Sequence, residues 1–263
     1  MPLTFWAKTS GTWINAATVF MGTYLGLLLQ GRLPLPMITI LTQGVGLITL
    51  AIGFSMATSL GKVKIGSMDG IILALFAIVL GGILGEWLKI ENRLTQLGNW
   101  LKARLHGRGR FTEGFVAASL LFCVGPLTLL GSFNNGLTGN NTLLSLKATM
   151  DGIAAIALTS SFGIGVGFSV IVILLYQGGL SLLAAELAQT LPHPSTSPSV
   201  LLLTGVGGLM ILGIGLNLLE IAQIRVASFL PALFLAPVAY EIVVKGIVYF
   251  SILCQRTTPS ICL

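Results

Sequence analysis

The chain has 263 residues, of which 54% are hydrophobic and 8% charged, and its mean hydropathy is +0.95. A soluble domain carries roughly 25% charged residues, so 14 basic and 8 acidic side chains at this length exclude a soluble enzyme, a disordered chain and a disulfide scaffold. The apolar residues fall in blocks of about twenty, the length of a helix that crosses a bilayer, and they predict an all-α polytopic membrane bundle with the lipid bilayer as its first partner.

In chain order the blocks predict seven spans, at about 13–29, 37–57, 69–86, 114–133, 150–176, 199–219 and 229–252. At 1.5 Å per residue each covers a core of about 30 Å. Backbone polar groups in hydrocarbon must be satisfied within the segment, which requires helices. The N-terminus lacks a basic stretch and a small-residue cleavage site, so the first span is expected to be retained.

Two segments break the pattern. Residues 86–110 place Trp87, Ile90, Leu94, Leu97, Leu101 and Leu105 at helical spacing. Lys89, Arg93, Lys102, Arg104, Arg108 and Arg110, six of the fourteen basic residues, fall in the same stretch. The excess of positive charge places it in the cytoplasm. It reads either as an amphipathic helix on the membrane surface, tryptophans at headgroup level, or as a solvent-facing helix that covers the bundle. Residues 180–191, LSLLAAELAQTL, make only about 18 Å of helix, too short to span. A half-helix or surface helix is expected there; if it crosses, the count is eight, and the basic residues do not arbitrate. His193 follows in a Pro/Ser loop.

The chain also repeats itself. A small residue is followed by glycine eleven and fifteen positions later at Gly11, Gly22 and Gly26, at Gly70, Gly81 and Gly85, and at Gly152, Gly163 and Gly167. A weaker copy keeps Pro231 and Gly246. A second unit reads GLITLAIGFS at 46–55, GPLTLLGSFN at 125–134 and GLMILGIGLN at 208–217, starting 24, 27 and 23 residues before the last three copies. The pattern reads as duplicated helical hairpins of one orientation, which favours seven spans. Small residues at four-residue spacing let helix backbones approach closely.

Polar residues recur at the ends of these units. Asp69, Asn134, Asn135, Asp151 and Asn217, with Asn15 in the first span, are therefore the candidate residues for binding a substrate or ion. A capping role competes: Ser67 and Thr149 suit N-caps, with Asp69 and Asp151 in the first turn of the helix that follows. Asn15 equally suits an interhelical hydrogen bond. Glu241 and Lys245, four apart with the acid first, are expected to form an intramembrane ion pair, structural or part of an ion pathway. Glu220 and Arg225 are expected to pair at the interface. Pro126 should kink the fourth span and free a carbonyl.

No metal or cofactor is expected: Cys123, Cys254 and Cys262 have no ligand spacing, and His106 and His193 lie outside the spans. There is no H-E-x-x-H, G-x-S-x-G or P-loop, so no enzyme constellation. GIGVG at 163–167 lacks the flanking strand of a nucleotide loop. The basic segment is too short to be a nucleic-acid-binding domain.

The stretch from Phe115 to Gln177 contains Cys123-Val-Gly125-Pro126, Leu130-Gly131-Ser132, Gly136-Leu-Thr-Gly139, Lys147 and Asp151-Gly152, and ends at Gln177-Gly178. With Gly11-Thr12-x-x-Asn15, it resembles the YdfK/YqgA-like family of uncharacterised bacterial membrane proteins (domain of unknown function 554), over roughly residues 9–237. The resemblance implies a multi-pass protein of a bacterial inner membrane and brings no substrate. The last twenty-odd residues, with Glu241 and Lys245, fall outside it.

The leading expectation is a small transporter or channel for a small polar solute or ion. The other is a pore-less interaction or sensory subunit that binds partners through its small-residue faces, which also point to a homo-oligomer. A polar cavity joining Asp151 and Asn134 would favour the first, a dry packed bundle the second.

Overall fold

The computed structural model describes residues 3–30, 32, 34–65, 68–104, 109–124, 126–184 and 197–257. Ser67, His106, Gly125, His193, Cys262 and residues 185–191 of the short apolar segment lie outside the described residues, as does the side chain of Cys254. The first five helices are α1 (Phe5–Leu29), α2 (Leu35–Ala57), α3 (Gly70–Trp87), α4 (Ile90–Arg104) and α5 (Phe111–Cys123). The next five are α6 (Pro126–Thr138), α7 (Thr142–Phe162), α8 (Ser169–Leu182), α9 (Pro198–Leu218) and α10 (Leu230–Thr257). A minimal hairpin, β1 (Lys64–Ile65) against β2 (Met68–Asp69), links α2 to α3.

Seven helical segments are long and apolar enough to cross a membrane: those built on α1, α2, α3, α7, α8, α9 and α10. The number agrees with the expected seven, but the membership differs in two places. The expected fourth span is a bent pair, α5 and α6, which meet at 59° and together have the length and composition of a further span. Proline at the first position of α6 explains the break, since it has no N–H to continue α5 but suits a helix start. The hydroxyl of Thr128 donates to the carbonyl of Phe122 at 3.3 Å, satisfying an oxygen at the break.

The expected fifth span, 150–176, is two helices. α7 starts at Thr142, eight residues earlier than hydropathy indicates, and ends at Gly163, whose φ of +84° is open to glycine. A 3-10 turn, Ile164–Phe168, leads into α8. Lys147 hides the start of α7 from a hydropathy reading. Its charge is met inside the fold by Asp151 one turn on.

Glycine sets the seams between helices. α1 and α7 run side by side in the same direction, Gly22 against the Gly152 carbonyl and Gly26 against that of Ile156; a Cβ on Gly22 would stand 2.3 Å from the Gly152 oxygen. α2 and α9 run antiparallel, with Gly53 and Gly208 face to face, and the end of α3 meets the start of α10, Gly81 at Ala232 and Gly85 at Ser228. α8 runs antiparallel to α1, from Gly167 beside Thr23 to Gly178 beside Thr12. Val19, Phe122, Leu158, Ile173 and Leu202 fill the centre. Large apolar side chains such as Phe20, Leu75, Ile83 and Phe234 cover the outside, the surface a lipid-embedded bundle requires.

α4 packs across the end of the bundle where α3 stops and α5 begins. Gly98 is its buried residue, seated on Thr112, while Trp87 and Trp100 are exposed. Lys89 turns the chain between α3 and α4 with a φ of +54°.

Candidate functional site

The buried ion pair of the bundle meets two buried amides and a hydroxyl at one place, between α1, α7 and α8. On α7, Lys147 and Asp151 are one turn apart and form an ion pair through Asp151 Oδ2, with 6% and 8% of their surfaces exposed. Asn15 of α1, fully buried, donates its amide to Asp151 Oδ2 at 3.0 Å and to Gln177 Oε1 of α8 at 3.0 Å. Gln177, also fully buried, donates to Thr12 Oγ1 at 3.4 Å. Asp151 is nine residues from the start of α7 and eleven from its end, so it sits about 14 Å from one end of the helix and about 17 Å from the other. Asp151 thus lies near the middle of α7.

The orientation of Asn15 follows from chemistry. An ionised carboxylate only accepts, so the amide nitrogen must face Asp151. The oxygen, Asn15 Oδ1, is then turned away, and among the described residues it is buried with no donor. Ser132 Oγ on α6 and Ser181 Oγ on α8 are also buried and unpartnered among the described residues. α6 and α8 run parallel, with Gly136 seated on the Ser181 carbonyl, which sets Ser132 level with Gln177. Cys123, the last residue of α5, is buried within electrostatic reach of Lys147 and Asp151.

Asn135 extends this region along α1. Its Oδ1 accepts from the Gly11 N–H at 2.9 Å, and its Nδ2 donates to the Ala7 carbonyl and Ser10 Oγ, each at 3.0 Å. One amide thus brackets a full turn of α1 and fixes α6 against it, next to Thr12 and one turn from Asn15.

Of the six candidate residues, Asn15, Asn135 and Asp151 come together along one face of α1. The other three do not. Asp69 is exposed beside Lys64 in the hairpin and caps α3 by position, without a side-chain bond. Asn134 is exposed on α6. Asn217 holds a turn, its Oδ1 accepting from Ile224 N–H and its Nδ2 donating to the Ile224 carbonyl, both at 2.7 Å. The first-turn reading of Asp151 does not hold, because α7 begins at Thr142 and Asp151 is mid-helix. Thr149 is likewise inside α7, its hydroxyl donating to the Ser145 carbonyl at 3.1 Å. Glu241 and Lys245 are exposed one turn apart on α10, and no ion pair between them occurs among the described residues. The buried pair is Lys147–Asp151 instead.

Sequence reasoning left Lys147, Gln177 and Thr12 out of the site. The signal was present: Lys147 and Asp151 have the same four-residue spacing as Glu241 and Lys245, and both Lys147 and Gln177 stand in the stretch that carries the family resemblance.

A second polar region lies at the α4 end. Arg225 bonds Glu86 at 2.6 Å and Asn92 at 2.7 Å, tying the turn after α9 to α3 and α4. Arg110 bonds Glu113 at 2.7 Å and Glu220 at 3.4 Å, with its guanidinium 4.7 Å over the Phe162 ring. Glu220 and Arg225 thus bind other elements rather than each other. Glu91 Oε2 accepts from the Ala227 N–H at 2.8 Å, and burial pushes its carboxyl above the usual 4.5 despite that bond. Glu91, Arg110, Glu113, Phe162, Asn217, Glu220 and Arg225 line an open cavity of about 890 Å³, and neither Asp151 nor Asn134 borders it.

The family model described as "Protein of unknown function (DUF554)" matches residues 10–241. The chain is 29% identical over 233 residues to "Uncharacterized membrane protein YdfK" of Bacillus subtilis strain 168, covering 89% of this chain and 96% of that protein. It is 32% identical over 233 residues to "Uncharacterized protein YqgA" of Escherichia coli strain K12, covering 86% and 94%. No solved structure matches the chain.

Proposed function

The chain belongs to the DUF554 family of proteins of unknown function, and on that premise we propose that it is a multi-pass transporter or channel of a bacterial inner membrane, moving a small polar solute or ion through the Asn15–Lys147–Asp151–Gln177 cluster. One observation carries the reading: a charged pair is held at mid-span, among amides from two other helices, with an acceptor oxygen left unpartnered. A lone charge at the helix centre costs about 2.5–3.5 kcal/mol on insertion scales. An intramembrane pair is tolerable, but packing alone gives no reason to keep it, since apolar replacement of a buried pair is often neutral or stabilising. The broken α5–α6 segment supports the reading, because interrupted helices inside a bundle are where transporters place their sites.

The proposed orientation puts α4 in the cytoplasm. Arg32, Lys89, Arg93, Lys102, Arg104, Arg110 and Arg225 share its end of the bundle, whereas Lys8, Lys62, Lys64 and Arg256 lie at the other.

The pore-less subunit remains a second reading, favoured by the close glycine seams and by the absence of Asp151 and Asn134 from the α4-end cavity. A thermal-shift screen of the purified protein in detergent, against ions and small metabolites, separates the two. Stabilisation by one solute, lost in Asp151→Asn, is the result expected of a site that binds the folded state. No response to any compound favours the pore-less subunit.

A further inference from the structure

The chemistry of the cluster narrows the solute, given the reading of that cluster as the solute site. We infer that the cluster is a binding site for a small monovalent cation, alkali or ammonium, and that the Lys147 ammonium is a tethered occupant which the cation displaces.

Three observations carry this. First, the unmet group is an acceptor. Asn15 Oδ1 is fully buried with no donor among the described residues, and its orientation is forced by the carboxylate on the nitrogen side. An anion or a pure acceptor solute would leave that oxygen unsatisfied; a cation or an N–H group satisfies it. Second, the charge count is one. Asp151 is the cluster's one carboxylate among the described residues, and no group of three or more metal-ligating acids, thiols or imidazoles occurs there. Once Lys147 has left it, the single carboxylate neutralises a single positive charge, whereas a divalent ion would keep an unbalanced charge and wants more oxygen ligands. Third, the carboxylate is already held by an ammonium group. Lys147 Nζ reaches it from one turn away, at the end of a flexible four-carbon stem. Asp151 Oδ2 and Gln177 Oε1 flank the Asn15 amide nitrogen, Thr12 Oγ1 lies beside Gln177, and Asn15 Oδ1 is the unpartnered oxygen on the other arm of the same amide; all four are oxygen groups of the kind an alkali ion or ammonium takes. When a free cation takes the carboxylate, the ammonium must leave it, so loading and lysine release are coupled.

The test uses the purified full chain in detergent. Unfolding midpoints are measured against lithium, sodium, potassium and ammonium chlorides, with choline chloride as the ionic-strength control. Three proteins are compared: the unchanged chain, Lys147→Gln, and Lys147→Gln combined with Asp151→Asn. Removing the tethered ammonium should let at least one of the small cations stabilise Lys147→Gln with half-saturation at least tenfold lower than in the unchanged chain. Choline should have no such effect, and the double variant should lose the response. An equal response in the double variant, or none in Lys147→Gln, overturns the inference. If Lys147→Gln does not fold, Lys147→Arg replaces it. Stabilisation of the unchanged chain by a small cation, absent in Lys147→Arg, supports the inference; no cation response in the unchanged chain, or the same response in both, overturns it. Asp151-dependent stabilisation by an uncharged solute or an anion, with no cation response, overturns the cation site and keeps the transport reading. No response to any compound in any protein overturns both.

Discussion

Lys147 and Asp151 test how much of a buried polar cluster is packing and how much is function. Asp151→Asn leaves the Lys147 ammonium without its counter-charge, and breaking a buried pair this way costs about 3–5 kcal/mol. Replacing both, Lys147→Met with Asp151→Leu, removes the charges together and should unfold within about 1–2 kcal/mol of the unchanged protein in a denaturation series, while abolishing any solute response. A double variant that keeps its solute response would reduce the pair to structure. Asn217 is a cleaner structural case. Its amide makes two bonds to the backbone of Ile224, so Asn217→Ala should cost about 1–3 kcal/mol and leave solute binding unchanged, read by the same denaturation series and thermal-shift screen.

At the scale of helices, close approach is set by residues with no side chain. A Cβ on Gly85 would stand 1.8 Å from the Ser228 carbonyl oxygen, so Gly85→Ala must push α3 away from the turn before α10. Overpacking of this kind costs about 1–3 kcal/mol, visible as a lower unfolding midpoint, and Gly61→Ala, in open space, is the control that should not move it. The attachment of α4 should depend on pH. The folded state holds the Glu91 proton more tightly than the unfolded chain does, because burial raises its carboxyl above 4.5. Its contribution is therefore complete below about 4.5 and declines as pH rises through the raised folded value. Glu91→Gln should flatten that slope in unfolding midpoints measured from pH 4 to 8.

For the whole molecule, the paired directions of the helices fix which ends share a side. α3 separates Lys62 from Arg104, and α10 begins where α3 ends and runs back against it. Cysteines placed at positions 62 and 256 should label from one side of the membrane and one at 104 from the other. Labelling of 104 and 256 from the same side would mean that α5 and α6 re-enter rather than cross. On the expected orientation, with α4 cytoplasmic, a reporter fused after residue 256 should read periplasmic, which makes the bent pair an eighth crossing.

The class of the protein and most of its helices were legible in composition, since a bilayer demands about twenty apolar residues and internal backbone bonding wherever the chain crosses. α2, α3 and α9 begin and end within two residues of their hydropathy blocks. The glycines at 22, 26, 81 and 85 stand out by spacing, and the tertiary structure seats the first three against a neighbouring helix and Gly85 against the turn before α10. The site was half legible. Asn15, Asn135 and Asp151 were singled out as polar residues in apolar surroundings, while Asp69, Asn134 and Asn217 qualified on the same ground and lie elsewhere. Sequence alone does not tell a buried polar residue from an exposed one, because its environment comes from helices more than a hundred residues away. Only the packing of α1 against α7 and α8 brought Asn15 within 3.0 Å of residues 136 and 162 positions later. The same packing turned Lys147 from an apparent break in hydropathy into the neutralised partner of Asp151.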